Sequence, residues 1–360
     1  GGNKPKFMPK IRKSSSIMLH RSEEESLSLV KSLATRASRA ASGLHKKNVR
    51  IFIEQFYANS APEDILSIPA DDLLAASLSA WSHFQKRAPH KAQVRVFNPS
   101  RLPKGKCWSS AHTVIEIVND DMPFLVDSVA NALRENNCIV HIVTHPTFRV
   151  RRDKSGRLTH LFADEGSEDG TTAESVMHVE INEQTEPQVL AEILALLESV
   201  LTDVRAAVGD WCAMRVKIAD VIAELDSLPP PLPQEDLDEA KSFLRWVEDN
   251  HFTFLGYREF SFTTKGKPAQ LRIEAQSSLG ILREMSTTLF EGLQDQAGLP
   301  PDIADFIRTP SVLMVSKANR RSTVHRATHL DTIGIKKFDR GGNVTGEQLF
   351  TGLFTSDVYN

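Results

Sequence analysis

Two histidines four residues apart, His141 and His145, are the first residues whose spacing suggests chemistry. On a helix that spacing gathers two metal ligands; on a strand it separates them by ~13 Å, too far for one ion. Ile139, Val140, Ile142 and Val143 are β-branched and Pro146 follows. The segment therefore reads as a strand, and no metal site is expected. His160 and His178 lie in strand-like runs and read as ordinary strand histidines. Serines such as Ser175 and Ser322 lack the Gly-x-Ser-x-Gly elbow of a hydrolase. Gly341 and Gly346 have phosphate-loop spacing, but Glu347 stands where a lysine is needed and no strand-to-helix context precedes it. No Gly-x-Gly-x-x-Gly follows a strand. Neither dinucleotide nor ATP binding is expected within these residues, and no catalytic residue is assigned.

Polar groupings remain as candidate effector or interface residues. Asn119, Asp120, Asp121, Met122, Pro123 and Phe124 form a strand-to-helix junction. Backbone N–H groups at a helix start attract a carboxylate; alternatively Asp120 and Asp121 simply cap the helix. Arg149, Arg151, Arg152 and Lys154 end a strand. They read as a solvated or salt-bridged face, or as a contact for an anionic ligand or another subunit. The run Lys317, Ala318, Asn319, Arg320, Arg321, Ser322, Thr323, Val324, His325, Arg326 reads as a solvated loop, or as one that docks on another domain or holds an acidic group.

The elements that must position these groups follow from periodicity. Residues 22–90 read as a helical segment. Ser22 with Glu25 gives a capping-box start, and further helices run over 47–58 and 70–86, the last with Asp71 as cap. Residues 91–208 change character. Ala92–Phe97 and His112–Val118 read as strands, and a helix carries Leu125, Val129 and Leu133. Cys138–Arg152 is a long strand in which Pro146 requires an edge or a bulge. Arg157–Phe162 returns as a hairpin arm, and Glu174–Asn182 is the next strand. A helix follows, started by Thr185 with Gln188 and carrying Leu190 to Val208 in register. The order β-β-α-β-β-α is a permuted ferredoxin-like sheet, with the first strand at the edge that normally belongs to the last. Residues 209–250 read as a helical linker broken by Pro229-Pro230-Pro231-Leu232-Pro233. Residues 251–360 read as a second, β-rich domain. Its strands include Phe252–Phe262, Leu271–Ala275, Val312–Ser316 and Thr323–Arg326, and a hairpin turns at Arg340–Asn343. The fold class is α+β.

Composition narrows the function. The chain has 360 residues, 41% hydrophobic and 25% charged, as in ordinary soluble globular proteins. No run approaches the ~20 apolar residues of a membrane span, and no secretory signal is visible. Three scattered cysteines argue against a disulfide framework and for a reducing cytoplasm. Residues 1–21 hold six Lys or Arg and no acid and read as a disordered basic tail. The remainder carries 37 basic against 46 acidic residues, a net −9, which disfavours nucleic acid. Both chain ends read as cut, so a piece of a longer protein is expected.

The segments DDMPFLVDSVANAL (120–133), VTHPTFRVRRDKSGRL (143–158), ESVMHVEIN (174–182), HFTFLGYREF (251–260), SKANRRSTVHR (316–326) and IGIKKFDRGGNVTGEQLFTGLFTS (333–356) occur in this order. Together they resemble the N-terminal part of the large bacterial NAD-specific glutamate dehydrogenases. The resemblance implies ACT-type, ferredoxin-like regulatory modules and a parent enzyme that oxidises L-glutamate to 2-oxoglutarate and ammonium with NAD. It places the cofactor domain and catalytic residues beyond this segment, since none of the matched motifs is catalytic. The expected role is thus regulation and assembly. Its expected partners are the downstream catalytic domain, further copies in a homo-oligomer and an amino-acid effector, with no nucleic acid and no membrane. The alternative is a stand-alone ACT-like module that senses an amino acid or makes subunit contacts without enzymatic activity.

Overall fold

The computed structural model describes residues 11–163, 169–263, 270–274, 276–283, 309 and 311–355. The fold is α+β, with two antiparallel sheets of six strands each among the described residues. The chain divides into two compact units. One comprises Gly1–Asp121 and Leu133–Glu198, the other Met122–Ala132 and Ser199–Asn360. No helix among the described residues is long and apolar enough to cross a membrane.

The first unit opens with helices α1 (Ile11–Ala40), α2 (Leu44–Phe56), α3 (Pro62–Ser67) and α4 (Ala70–Phe84). Helix α1 starts well before Ser22 and inside the range expected to be a disordered tail. No Gly or Pro interrupts residues 11–40, so nothing in the backbone stops it there. Residues 1–10 lie outside the described set. Asp71 does not cap α4; its carboxylate takes the Arg36 guanidinium at 2.8 Å, and Pro69 occupies the cap position.

The sheet of this unit contains β1 (Gln93–Phe97), β2 (His112–Asp120), β3 (Val140–Thr144), β4 (Thr147–Arg152), β5 (Leu158–Phe162) and β6 (Thr172–Asn182). Its order is β1-β2-β6-β4-β5, with β3 also on β6. Strands β2 and β3 both run antiparallel to β6 and are therefore parallel to each other. The strand β1 holds the edge that the permuted ferredoxin-like order assigns it. Helix α5 (Leu125–Glu135) joins β2 to β3, and α6 (Pro187–Gly209) follows β6. Pro146 separates β3 from β4 without changing register: Thr144 faces His178 and Thr147 faces Ser175. The bulge lies earlier, at His141, between Val140 and Ile142. Thr185 and Gln188 form no capping box; their side chains turn to Glu186 and Glu192 at 3.5 and 3.0 Å.

Alternation decides what each face of this sheet meets. Val118, Phe148, Val150, Leu161 and Val176 join one buried cluster with Phe52, Phe56, Trp81 and Phe84 of the helices. Phe52 stacks on Phe148 with ring centroids 4.9 Å apart. The helical segment thus covers one sheet face, and each aromatic ring so buried contributes about 1.5–3 kcal/mol. The chain end of α4 is tied to the β4–β5 turn through Arg87 N–H to Gly156 O and Leu158 N–H to Gln85 O. Gly156 has φ +81°, and a Cβ there would lie 2.0 Å from the Arg87 carbonyl oxygen. Gly156→Ala is therefore expected to lower stability by about 1–3 kcal/mol, from the left-handed backbone and the forced displacement together. A thermal melt of the variant checks it.

The second unit contains α7 (Trp211–Ser227), α8 (Gln234–Trp246), one π-helical turn (Val247–His251) and the strands β7 (Phe252–Thr263), β8 (Gln270–Ile273), β9 (Leu279–Gly280), β10 (Leu313–Arg321), β11 (His329–Phe338) and β12 (Val344–Phe354). The sheet order is β10-β11-β12-β7-β8, with β9 on β7. Met214, Ile218, Leu237 and Leu244 pack with Tyr257, Ile333 and Phe350 in one core. The hairpin expected at Arg340–Asn343 joins β11 to β12. Thr323–Arg326 is not a strand. Instead β10 runs through the polar stretch to Arg321, and His325 adopts φ +65°, which no strand tolerates. The turn expected at 265–268 and Ala275 lie outside the described residues.

Candidate functional site

The junction residues turn inward to their own neighbours. Asn119 and Asp120 belong to β2, and α5 begins only at Leu125, after Phe124 at φ +70°. Asp120 accepts from Arg87 at 2.5 Å, and Asp121 accepts from the Ser175 hydroxyl at 2.5 Å. Neither carboxylate caps α5, because each is taken by a partner on another element. Asn119 is buried and Met122 half-buried.

Arg149 donates to the Thr171 hydroxyl at 3.1 Å. Arg151 donates to the Asp169 carbonyl at 3.2 Å and lies over the Phe162 ring. Lys317 pairs with Asp331 across the β10–β11 ladder at 2.6 Å. Arg321 reaches the Ala327 carbonyl, and Asn319 is exposed. Within the second unit, two of the expected groupings meet: the His325 ring lies 4.9 Å from that of Phe124. His325 N–H donates to Ser128 Oγ at 3.0 Å, its Nδ1 is 3.2 Å from Asp127, and Asn131 donates to its carbonyl at 2.7 Å. Loop 322–326 therefore reads as a clasp on the start of α5.

Sequence reasoning missed a denser cluster, on the helix-covered face of the first sheet. Glu116 of β2 and His178 of β6 are register partners, with Glu180 two residues on and Thr144 of β3 opposite His178. His178 is 5% exposed. Its Nδ1 lies 3.7 Å from Glu116 and its Nε2 3.4 Å from Glu180. Burial disfavours the imidazolium, but hydrogen bonds and charge from Glu116 and Glu180 outweigh it and hold the pKa up at about 9. Burial likewise opposes both carboxylates' charge. His178 and Arg95 nevertheless hold Glu116 below its ordinary value, and His178 and His112 do so for Glu180. Arg95 Nε donates to Glu116 at 2.6 Å, and His112 Nδ1 is 2.7 Å from Glu180. His112 in turn stacks on His141, centroids 4.4 Å apart. His178 is thus a charged group clamped between two carboxylates rather than an ordinary strand histidine. The signal was present: Glu116 interrupts an otherwise β-branched run, and charges buried on adjoining strands have to pair.

A cleft of about 490 Å³ opens beside this cluster within the first unit. Glu180, His112, His141 and His178 line one side, and Tyr57, Asp64, Asp72 and Trp108 others. Among the described residues no group of His, Cys, Asp and Glu could hold a metal ion. The Gly341–Gly346 pattern is a hairpin and strand. A Cβ at Gly346 would meet the Phe260 carbonyl at 2.4 Å, so this glycine allows the close approach of β7 to β12.

A permuted ferredoxin-like sheet backed by helices places the first unit in the class of ACT-type modules. Comparison with known proteins agrees, since residues 52–197 match the family described as glutamate dehydrogenase, ACT1 domain. The NAD-specific glutamate dehydrogenase of Halomonas elongata is 34% identical over 345 residues, 95% of this chain and 21% of the relative. That of Pseudomonas aeruginosa is 32% identical over 312 residues, 87% of this chain and 19% of the relative. That of Mycobacterium tuberculosis is 24% identical over 250 residues, 68% of this chain and 14% of the relative. The chain belongs to this family and corresponds to an N-terminal region of it. It spans about one fifth of the length of the first two relatives.

Proposed function

We propose that these residues are a non-catalytic regulatory and assembly portion of an NAD-dependent enzyme that converts L-glutamate, NAD and water to 2-oxoglutarate, ammonium and NADH. The observation that carries this reading is the ACT1 match lying on the ferredoxin-like sheet, in a chain that aligns along nearly its whole length with NAD-specific glutamate dehydrogenases. NAD and the reacting carbon are held by other parts of the parent protein, where the nicotinamide accepts the hydride. The first unit supplies a helix-covered sheet and a cleft whose occupancy can bias the parent between states. Its working partners are the parent's catalytic portion and further copies of the same chain, in the cytoplasm. Allostery in this sense requires two sites and a coupling free energy between them. The 360-residue chain, mixed with glutamate and NAD, is expected to form no NADH, while the full-length parent does. Turnover by the 360 residues alone refutes the reading.

A further inference from the structure

Strands β1, β3 and β5 of the first sheet each have a side that no described strand pairs. An unpaired edge is a template for another chain, and proteins block it with charge or cover it. Helix α2 covers the edge of β5. Asn48 accepts from the Leu161 N–H at 3.3 Å, and the amides of Asn48 and Gln55 donate to the Thr159 and Phe162 carbonyls at 3.5 and 3.3 Å. Strand β1 carries the charge of Arg95, and His83 Nε2 lies 3.2 Å from its Gln93 carbonyl. Strand β3 has neither device. It reads Val140-His141-Ile142-Val143-Thr144, with no lysine, arginine or carboxylate, and among the described residues it pairs only with β6. Val143 is 42% exposed, and Ile139, just before the strand, 62%.

The cleft of the first unit runs along this edge. His141 to Thr144 form one wall, and Ile65 of α3 with Leu73 of α4 stand in the other. Val143 pairs with Val179, so it points to the sheet face opposite His178 and Glu180, which line the floor. Its place in the lining means that the cleft reaches round β3 to the unpaired side. A volume of about 490 Å³ beside four strand residues gives an extended segment room for its backbone and for the side chains of one face. Ile65, Leu73 and Trp108 are buried apolar walls for those side chains. The exposed Asp64 stands on the helix wall, and the described lining holds no lysine or arginine, so a basic flank is complementary.

We propose that the open edge of β3 takes an extended peptide segment of a partner protein as an added strand, with alternate apolar side chains entering the cleft and basic residues flanking them. Main-chain hydrogen bonds to β3 supply the affinity, and the cleft supplies the preference for apolar side chains. The proposal rests on the geometry of the first unit alone and stands or falls separately from the activity assigned to the parent protein.

The test titrates the 360-residue chain with the end-capped peptide Lys-Val-Thr-Phe-Thr-Val-Lys and with two methylated forms of it. One form is N-methylated at both valines, the other at both threonines. Successive residues of a strand turn their N–H groups to opposite sides, so only one form keeps its donors toward β3. That form is expected to bind like the parent peptide, and the other about tenfold or more weaker, the size of two lost backbone hydrogen bonds. Bound peptide is expected to slow amide hydrogen exchange in residues 140–144. Val143→Lys, at an exposed position, gives β3 a charge that blocks the edge and repels the basic flanks, and is expected to weaken binding about tenfold or more. A thermal melt of this variant reports its fold. No binding of the parent peptide overturns the proposal, as does equal binding of the two methylated forms or exchange in β3 that the peptide leaves unchanged. A chain already dimeric without peptide, and split into monomers by Val143→Lys, overturns it too, since a second copy then occupies the edge.

Discussion

Glu174→Ala is expected to destabilise the first unit by about 3–5 kcal/mol, because it strips the shared carboxylate from two buried guanidinium groups. Glu174 is fully buried. Its Oε1 accepts from Arg87 Nη2 at 2.8 Å and from Arg152 Nε at 2.8 Å, and its Oε2 accepts from Arg152 Nη2 at 2.7 Å. Arg87 is 4% exposed and Arg152 10%. Asp120 also accepts from Arg87 but is 26% exposed, so water can replace part of what it gives. After the substitution Arg152 keeps only carbonyl acceptors, Gly156 and Phe84, and its ring contact with Phe84. Asp120→Asn is therefore expected to cost far less than Glu174→Ala. A chain with two compact units need not melt in one step. The proper measurement is amide hydrogen exchange in β4 and β6 against urea, which isolates the unit concerned. An exchange midpoint for Glu174→Ala equal to that of Asp120→Asn would show that Glu174 is not the hub. Arg87→Leu and Arg152→Leu together with Glu174→Leu restore part of the loss if the penalty is the stranded charge, since an apolar replacement of the whole triad removes the desolvation cost.

The same network shows what the sequence could and could not disclose. Local period was readable. The β-branched run His112–Val118 and the run Glu174–Asn182 identified two strands, and the returning arm Arg157–Phe162 and the turn Arg340–Asn343 marked hairpins that form. The edge place of β1 followed from topology rules that leave few alternatives. Helix caps were read less well, because Asp71 and Asp120 are equally good caps and ion-pair partners. Arg36 and Arg87, 35 and 33 residues away, claimed them. Arg87 and Glu174 are 87 residues apart, and periodicity carries no information about such pairs. The covering of the sheet by α2 and α4 was equally invisible. Each helix announces an apolar stripe but does not name the surface that buries it. The clamped His178 stayed hidden because its two carboxylates sit on one strand with it and on its neighbour, and only the register unites them.

That clamp gives the first unit a distinctive dependence on pH. His178 in the unfolded chain titrates near its ordinary 6.5, whereas in the folded unit it titrates at about 9. The folded state binds the proton more tightly, so the stabilisation is fully present below 6.5, declines as pH rises, and is gone above about 9. For a fully buried group the gap corresponds to something on the order of 3 kcal/mol. Glu116 and Glu180 act in the opposite sense. Both are held below 4.5 in the folded unit, so their contribution is present above that value and is lost as pH falls through their folded values. The unit is therefore expected to be most stable between about 4.5 and 6.5 and to weaken on the alkaline side well before lysine or tyrosine titrates. His178→Gln should flatten the alkaline limb, and it should also lower stability at pH 6, where Glu116 and Glu180 would face each other without the cation between them. The direct check is the titration of the His178 ring by NMR beside urea unfolding of wild type and variant at pH 6 and pH 9. A ring midpoint near 6.5, or equal stability of the wild type at both pH values, would mean that the two carboxylates do not hold the charge on His178.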